Sequence, residues 1–345
     1  MRNINIAVLI MVLLCVLIYA GVQISNGVSV STQNLDRRFN KIGTIDKPNV
    51  DVDTIVNTSF EKTLLTNPVR YTDSMFGWTM TTVIFCKAEK FPTHTLQILR
   101  MNIYQPTNDL ISNRRLIILA HGGGNTMGGR NDAQTNKVCM RYAATGYVAV
   151  SIDYRIGWTP NANPAISLVN FENAMYRASQ DLMTAGRFMK KKKTTYRVNM
   201  DSVILGGLSA GGFNTFYALN VQENELPSYV DTSYANLTNN SSTFKTVAIL
   251  DCWGGLINLD HIQQECPPTF IIHGGNDNTV PCTDGYLAFV HEYGGCTIND
   301  RLQALGIPHF FAYYADAGHG LSGCCQEAYL QNALTQSLEF MNHIF

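Results

Sequence analysis

The residues of this chain best suited to chemistry are a serine, a histidine and a carboxylate that lie far apart in sequence. The serine stands at the centre of Gly207-Leu-Ser209-Ala-Gly211, within the stretch V-I-L-G-G-L-S-A-G-G-F-N-T-F from Val203 to Phe216. An apolar run precedes the pentapeptide and a helix-like run follows it. Glycine is entropically costly in ordered structure, so its crowding around one serine calls for a backbone that only glycine permits. A sharp strand-to-helix turn is such a backbone. It holds the serine in strained geometry and lifts its hydroxyl from the carboxyl edge of a sheet, where open α/β sheets bind ligands. The helix that begins there aims free N–H groups and a positive dipole end at nearby negative charge. The bland alternative, a tight turn with an incidental serine, fits a strand–serine–helix context poorly.

A serine hydroxyl is a weak nucleophile until a base takes its proton, and a carboxylate must orient that base. Of eight histidines, His319 lies in Asp316-Ala-Gly-His-Gly-Leu, a glycine-flanked loop between the last strand-like run and the last helix-like run. His94, His273, His309 and His343 sit in positions that read as structural. Asp277 follows the apolar strand Thr269–His273 in T-F-I-I-H-G-G-N-D-N-T-V-P, again at a carboxyl edge. Asp251, which ends the preceding strand, and Asp316 are its competitors. The chain order Ser, Asp, His also suits this kind of sheet. The remaining requirement is a receptor for an oxyanion. Leu116–Ala120 runs into His121-Gly122-Gly123-Gly124, where side-chain-free residues let backbone amides approach a substrate oxygen. Gly123, Gly124 and Ala210 are the expected N–H donors, and His121 is expected to brace the loop. A donor of this kind is worth about 2.7–4 kcal/mol in the transition state.

Elements at a regular spacing must position these groups. Strand-like runs fall at Thr79–Cys86, Leu96–Tyr104, Arg115–Ala120, Tyr147–Tyr154, Ser202–Gly206, Thr246–Asp251, Thr269–His273 and Phe310–Tyr314. Several are continuous apolar blocks, the mark of strands buried on both faces. Helix-like stretches alternate with them from the third onward: Asp132–Thr145, Glu172–Lys190, Gly211–Leu219, Thr283–Tyr293 and Gln326–Ile344. In the longest, Phe171, Ala174, Ala178, Leu182, Ala185 and Met189 form one apolar face. The first two strands read as a hairpin. The rest implies an α/β fold with a mostly parallel sheet, right-handed crossovers and helices on both faces. A polar insertion at 223–244 reads as a surface excursion or small cap.

His121–Gly124, Ser151-Ile-Asp-Tyr-Arg155, Gly207–Gly212, His273–Pro281 and Asp316–Gly320 together resemble the α/β-hydrolase family, in its carboxylesterase and lipase-like branch with an HGGG oxyanion loop. The likeness runs from roughly Val69 to the end of the chain. It implies the α/β-hydrolase fold with an eight-stranded sheet, and ester hydrolysis through an acyl-enzyme. Ser209 would be the nucleophile, His319 the base and then acid, and Asp277 the orienting carboxylate, without metal or organic cofactor. Asn125 and Leu208 depart from the hormone-sensitive-lipase-like pattern, which has an aromatic and an acidic residue there. The acid loop looks more like that of small secreted polysaccharide-side-chain and feruloyl-type esterases. The expected substrate is a small or polymer-attached ester with a short or aromatic acyl group. A peptidase, a lipase and a non-catalytic binding protein of the same fold are the alternatives. Tyr154, Arg155, Trp158 and Trp253 fall on edge loops, as pocket lining or as packing.

The bulk numbers agree with a folded domain. The chain has 345 residues, 46% of them hydrophobic, and a formal net charge of −1. That balance speaks against a nucleic-acid partner held by general electrostatics. The basic run Lys190–Lys193 suits the end of a helix. Residues 1–25 carry a short charged head and an apolar run from Ile4 to Tyr19, the pattern of a secretory signal or, uncleaved, a membrane anchor. Residues 26–68 read as a polar extension and 69–345 as the catalytic domain. Nine cysteines, eight of them beyond Cys15, fit an exported chain with at least two disulfides, Cys324 and Cys325 going to different partners. Their spacing does not suit zinc. Asn57, Asn236, Asn239 and Asn240 open N-glycosylation patterns.

Overall fold

The computed structural model describes residues 69–221, 225–233 and 243–345. The expectations for the leader, the extension, Cys15 and the four glycosylation patterns lie outside these residues, as does half of the 223–244 insertion. Eleven strands are present among the described residues: β1 Trp78–Glu89, β2 Leu96–Pro106, β3 Arg114–Ala120, β4 Val148–Ile152, β5 Val198–Leu208, β6 Thr246–Cys252, β7 Gly255–Leu256, β8 Thr269–Gly274, β9 Asp284–Leu287, β10 Val290–Gly294 and β11 His309–Tyr314. The helices are α1 Ala133–Ala144, α2 Pro164–Lys191, α3 Lys193–Tyr196, α4 Ala210–Asn220, α5 Gly295–Ala304 and α6 Gln326–Ile344.

Eight strands form one sheet in the order β1-β2-β4-β3-β5-β6-β8-β11. β1 and β2 pair antiparallel, as do β2 and β4, and every later pairing in this sheet is parallel. The apolar blocks of the sequence are explained by the pleat. Ile117 and Leu119 of β3 face a cluster with Val138 and Tyr142 of α1 and Leu330 and Leu334 of α6. Leu116 and Ile118 face the other side, against Ala178, Leu182 and Ala185 of α2. Neither side chain set meets water, so β3 has no polar alternation. α1 starts where Asp132 accepts hydrogen bonds from the Thr135 amide and hydroxyl, a side-chain N-cap. α2 begins eight residues before the expected Glu172, because Asn163 caps the Ala165 amide and Pro164 fits the first turn.

One expected helix is absent. Thr283–Tyr293 folds instead as the β9–β10 hairpin, which joins β7 in a second, three-stranded sheet. Its two turn residues, Ala288 and Phe289, both have positive φ, the geometry of a tight two-residue hairpin. Neither is Gly or Asn, so the usual turn signature is missing. The Ser167 hydroxyl donates to the Ala288 carbonyl at 2.8 Å, and the Cys282–Cys296 disulfide brackets the hairpin. These tertiary ties override local propensity.

The cysteine expectation also needs correction. Among the described residues one disulfide is formed, while Cys139, Cys252 and Cys266 are free thiols packed into the core, where Cys86 is buried as well. The Cys324 and Cys325 sulfurs do not diverge to separate partners; they face each other at 2.7 Å.

Candidate active site

Ser209 sits between β5 and α4 with φ 53° and ψ −120°, a strained conformation for a residue with a side chain. The surroundings hold it there. Its own N–H donates to the Cys252 carbonyl at 2.9 Å, and its carbonyl accepts from the Gly212 N–H at 2.8 Å. The flanking glycines are required by close approach. A Cβ on Gly207 would lie 2.1 Å from the Gly211 carbonyl carbon, and one on Gly211 would lie 2.1 Å from the Ala120 oxygen. The elbow therefore packs backbone on backbone, against the end of β3.

The structure brings the three sequence-derived residues together. The His319 Nε2 is 3.0 Å from the Ser209 Oγ, and its Nδ1 donates to the Asp277 Oδ2 at 2.8 Å. Asp277 is buried and His319 about one-quarter exposed, so the chain of hydrogen bonds runs from a dry interior to an accessible edge. The second Asp277 oxygen accepts the Thr279 and Val280 amides, both at 2.9 Å. Those two bonds fix the carboxylate plane. The loop around His319 is anchored in turn, since the Gly320 carbonyl accepts from the amides of Gln134 and Gln326.

The rival carboxylates do other things. Asp251 is fully buried against Gly212 and Gly254, and that burial pushes it up to about 8. Asp316 accepts the Tyr329 hydroxyl through both oxygens at 2.9 Å.

The HGGG loop passes Ser209 directly, a Cβ on Gly122 falling 3.3 Å from the Ser209 Cβ. Gly123 and Gly124 follow with positive φ. Among the described residues no protein acceptor engages the amides of Gly123, Gly124 or Ala210. His121 is a brace: its Nδ1–H donates to the Gly122 carbonyl at 2.6 Å and its ring stacks on Tyr154 at 4.1 Å. Burial holds its pKa below the usual histidine value, so it stays neutral. The Tyr154 hydroxyl donates to the His121 carbonyl at 2.9 Å.

The departure at Asn125 has a structural role that sequence reading missed. Asn125 and Asn214 exchange amide hydrogen bonds of 3.2 and 2.8 Å, tying the loop to α4. A polar residue directly after three glycines was the available signal. Arg155, Trp158 and Trp253 prove to be packing residues. Arg155 is fully buried on Asp181 at 2.9 Å, Trp158 lies on Phe171, and Trp253 belongs to the core. His273, read as structural from its place at a strand end, donates its Nε2–H to the Val280 carbonyl at 2.8 Å behind Asp277. A cavity of about 220 Å³ between α2 and α4, lined by Tyr176, Gln180, Arg187 and Tyr217 among others, shares no residue with this site.

A family model described as BD-FAE, an esterase family of the α/β-hydrolase type, matches residues 101–264. No curated protein sequence matches the chain. Solved structures do. Thermogutta terrifontis esterase 2, phosphorylated by paraoxon, superposes with a TM-score of 0.55 at 23% identity, over 80% of this chain and 98% of that one. The same esterase with propionate bound gives 0.54 at 21%, over 80% and 97%. MGS-M1, an α/β-hydrolase from a Medee basin deep-sea metagenome library, gives 0.52 at 16%, over 78% and 99%.

Proposed function

On an α/β-hydrolase fold, which this chain has, we propose that the site is that of a serine carboxylic ester hydrolase working through an acyl-enzyme. The observation that carries the reading is the unbroken hydrogen-bonded chain from the Ser209 Oγ through His319 to Asp277, at 3.0 and 2.8 Å. Ser209 attacks the ester carbonyl carbon as its proton passes to the His319 Nε2. Asp277 fixes the Nδ1–H tautomer and stabilises the imidazolium. The carbonyl oxygen becomes an oxyanion received by the amides of Gly123, Gly124 and Ala210. Collapse of that intermediate breaks the ester C–O bond, and the imidazolium proton goes to the leaving alcohol. Water, activated by the same histidine, then releases the acid and restores Ser209.

Short or aromatic acyl groups are the proposed substrates, on a small alcohol or on a polysaccharide side chain. The acid loop's likeness to polysaccharide-side-chain esterases supports this. So does the neighbouring esterase, which has been captured with propionate and with butyrate. Export is proposed from the leader-like pattern at 1–25, and the Cys282–Cys296 disulfide agrees with it. A panel of p-nitrophenyl and feruloyl esters against a prolyl amide, run with Ser209→Ala as control, tests the reading. Ester turnover lost in the variant is expected. Turnover of the amide alone, or equal turnover by both proteins, would overturn it.

A further inference from the structure

The β9–β10 hairpin follows the acid loop and lies across it. Along β10, His291 and Tyr293 face outward while Val290, Glu292 and Gly294 are buried. Val290 joins the apolar cluster that holds Val280. A Cβ on Gly294 would fall 2.0 Å from the Pro281 carbonyl oxygen, so the strand end rests on the acid loop. The Gly295 amide donates to the His273 Nδ1 at 3.3 Å, and the opposite nitrogen of that ring is 3.6 Å from the Asp277 Oδ2. Glu292 stands between Val290 and Gly294 on the same buried face of β10, with no solvent exposure. Neither of its carboxyl oxygens has a hydrogen-bond partner among the described residues. A buried carboxyl without a partner is costly, and such a group calls for a reason.

We propose that Glu292 acts through Asp277 as a positioning residue: from beneath the hairpin, its carboxyl sets the charge that the acid loop presents to His319. Burial first, and the Asp277 charge second, push Glu292 up to about 8. It is thus a neutral acid at neutral pH, and Asp277 carries the single negative charge behind the histidine. When Glu292 ionises, a second negative charge enters the same dry region and favours the imidazolium that forms as Ser209 gives up its proton. The other titratable groups facing this region are Asp277 and His273, with His319 beyond Asp277. Asp284 and His291 pair with each other on the outer face at 3.3 Å. α2 and α4 contribute the apolar Phe171 and Phe213 to the cluster beneath.

The inference rests on the ester-hydrolase reading, and Glu292→Gln tests it with two readouts. In the wild type, kcat should rise in a second step near pH 8. That step should be about tenfold, the scale of one charge acting over roughly 10 Å at an effective dielectric of about 20. The variant should lack the step with KM unchanged. Asp251 titrates in the same range and is common to both proteins, so the ratio of the two profiles isolates Glu292. The second readout needs no turnover. Between the ordinary glutamate value of 4.5 and about 8, the folded state holds a proton that the unfolded state has lost. The wild-type unfolding constant, relative to the variant, should therefore rise about tenfold per pH unit across that window. Glu292→Asp keeps the titrating group and should keep both behaviours; it also serves if the Gln variant fails to fold. A kinetic profile identical in wild type and Gln overturns the proposal, whatever the stability data show. Absence of ester turnover in the wild type overturns the functional reading instead, and leaves the stability readout to report on Glu292.

Discussion

Replacing Asp277 with Asn should cost about four orders of magnitude in kcat while leaving the fold in place. The reasoning starts from the two amides of Thr279 and Val280, which both donate to the Asp277 Oδ1 at 2.9 Å. An asparagine must keep its oxygen on that side, because its amino group would there face two N–H donors and find no acceptor. Its NH2 then faces the His319 Nδ1, which in the native protein donates at 2.8 Å. Two donors cannot face each other, so the ring is driven to the tautomer protonated on Nε2. That nitrogen lies 3.0 Å from the Ser209 Oγ and can no longer accept its proton. A carboxylate-to-amide change with this effect lowers kcat about 10⁴-fold in a serine triad, roughly 5.4 kcal/mol of transition-state stabilisation. The assay is the pH profile of kcat on p-nitrophenyl acetate, with circular dichroism and urea unfolding to verify the fold. Retention of activity within tenfold of wild type, in a folded variant, would refute the assigned role of Asp277.

Three further changes probe other parts of the account. Gly207→Ala brings a methyl group to 2.1 Å from the Gly211 backbone; it should destabilise by on the order of 3 kcal/mol and abolish activity, and wild-type urea stability would contradict the close packing of the elbow. Asp251→Asn removes a buried acid raised from 3.8 to about 8. Wild-type stability falls as pH rises through that window, because only the folded state keeps the proton, so the variant should gain on it by about 1.4 kcal/mol per pH unit in urea titrations. Parallel pH dependences would refute the burial assignment. Cys282→Ser opens a loop with a sequence separation of 14 and should cost about 3 kcal/mol, read as a lower thermal midpoint under non-reducing conditions. An unchanged midpoint would contradict that bridge.

The sheet and the three chemical groups were legible because each carried a strong local signal. Blocks such as Leu116–Ala120 pack on both faces, and their short length between turn residues sets them apart from a buried helix. Ser209 and His319 were marked by glycines whose only use is backbone approach or a sharp turn. The hairpin at 284–294 was illegible because its determinants are distant: a hydroxyl from Ser167, pairing with β7, and a disulfide. A turn of Ala288-Phe289 gives no local warning. Glu292 was illegible for the same reason, since its burial follows from the hairpin. Asn125 was noticed as a departure, but its partner Asn214 is 89 residues away and only the fold joins them.

In the proposed reaction Ser209 becomes covalently acylated. It is tested most directly by rapid mixing with p-nitrophenyl acetate, acid quenching and peptide mass analysis. One acetyl group per chain, on the peptide containing Ser209 and absent from Ser209→Ala, is the expected result. An acetyl group on another residue, or turnover with Ser209 never modified, would contradict the account.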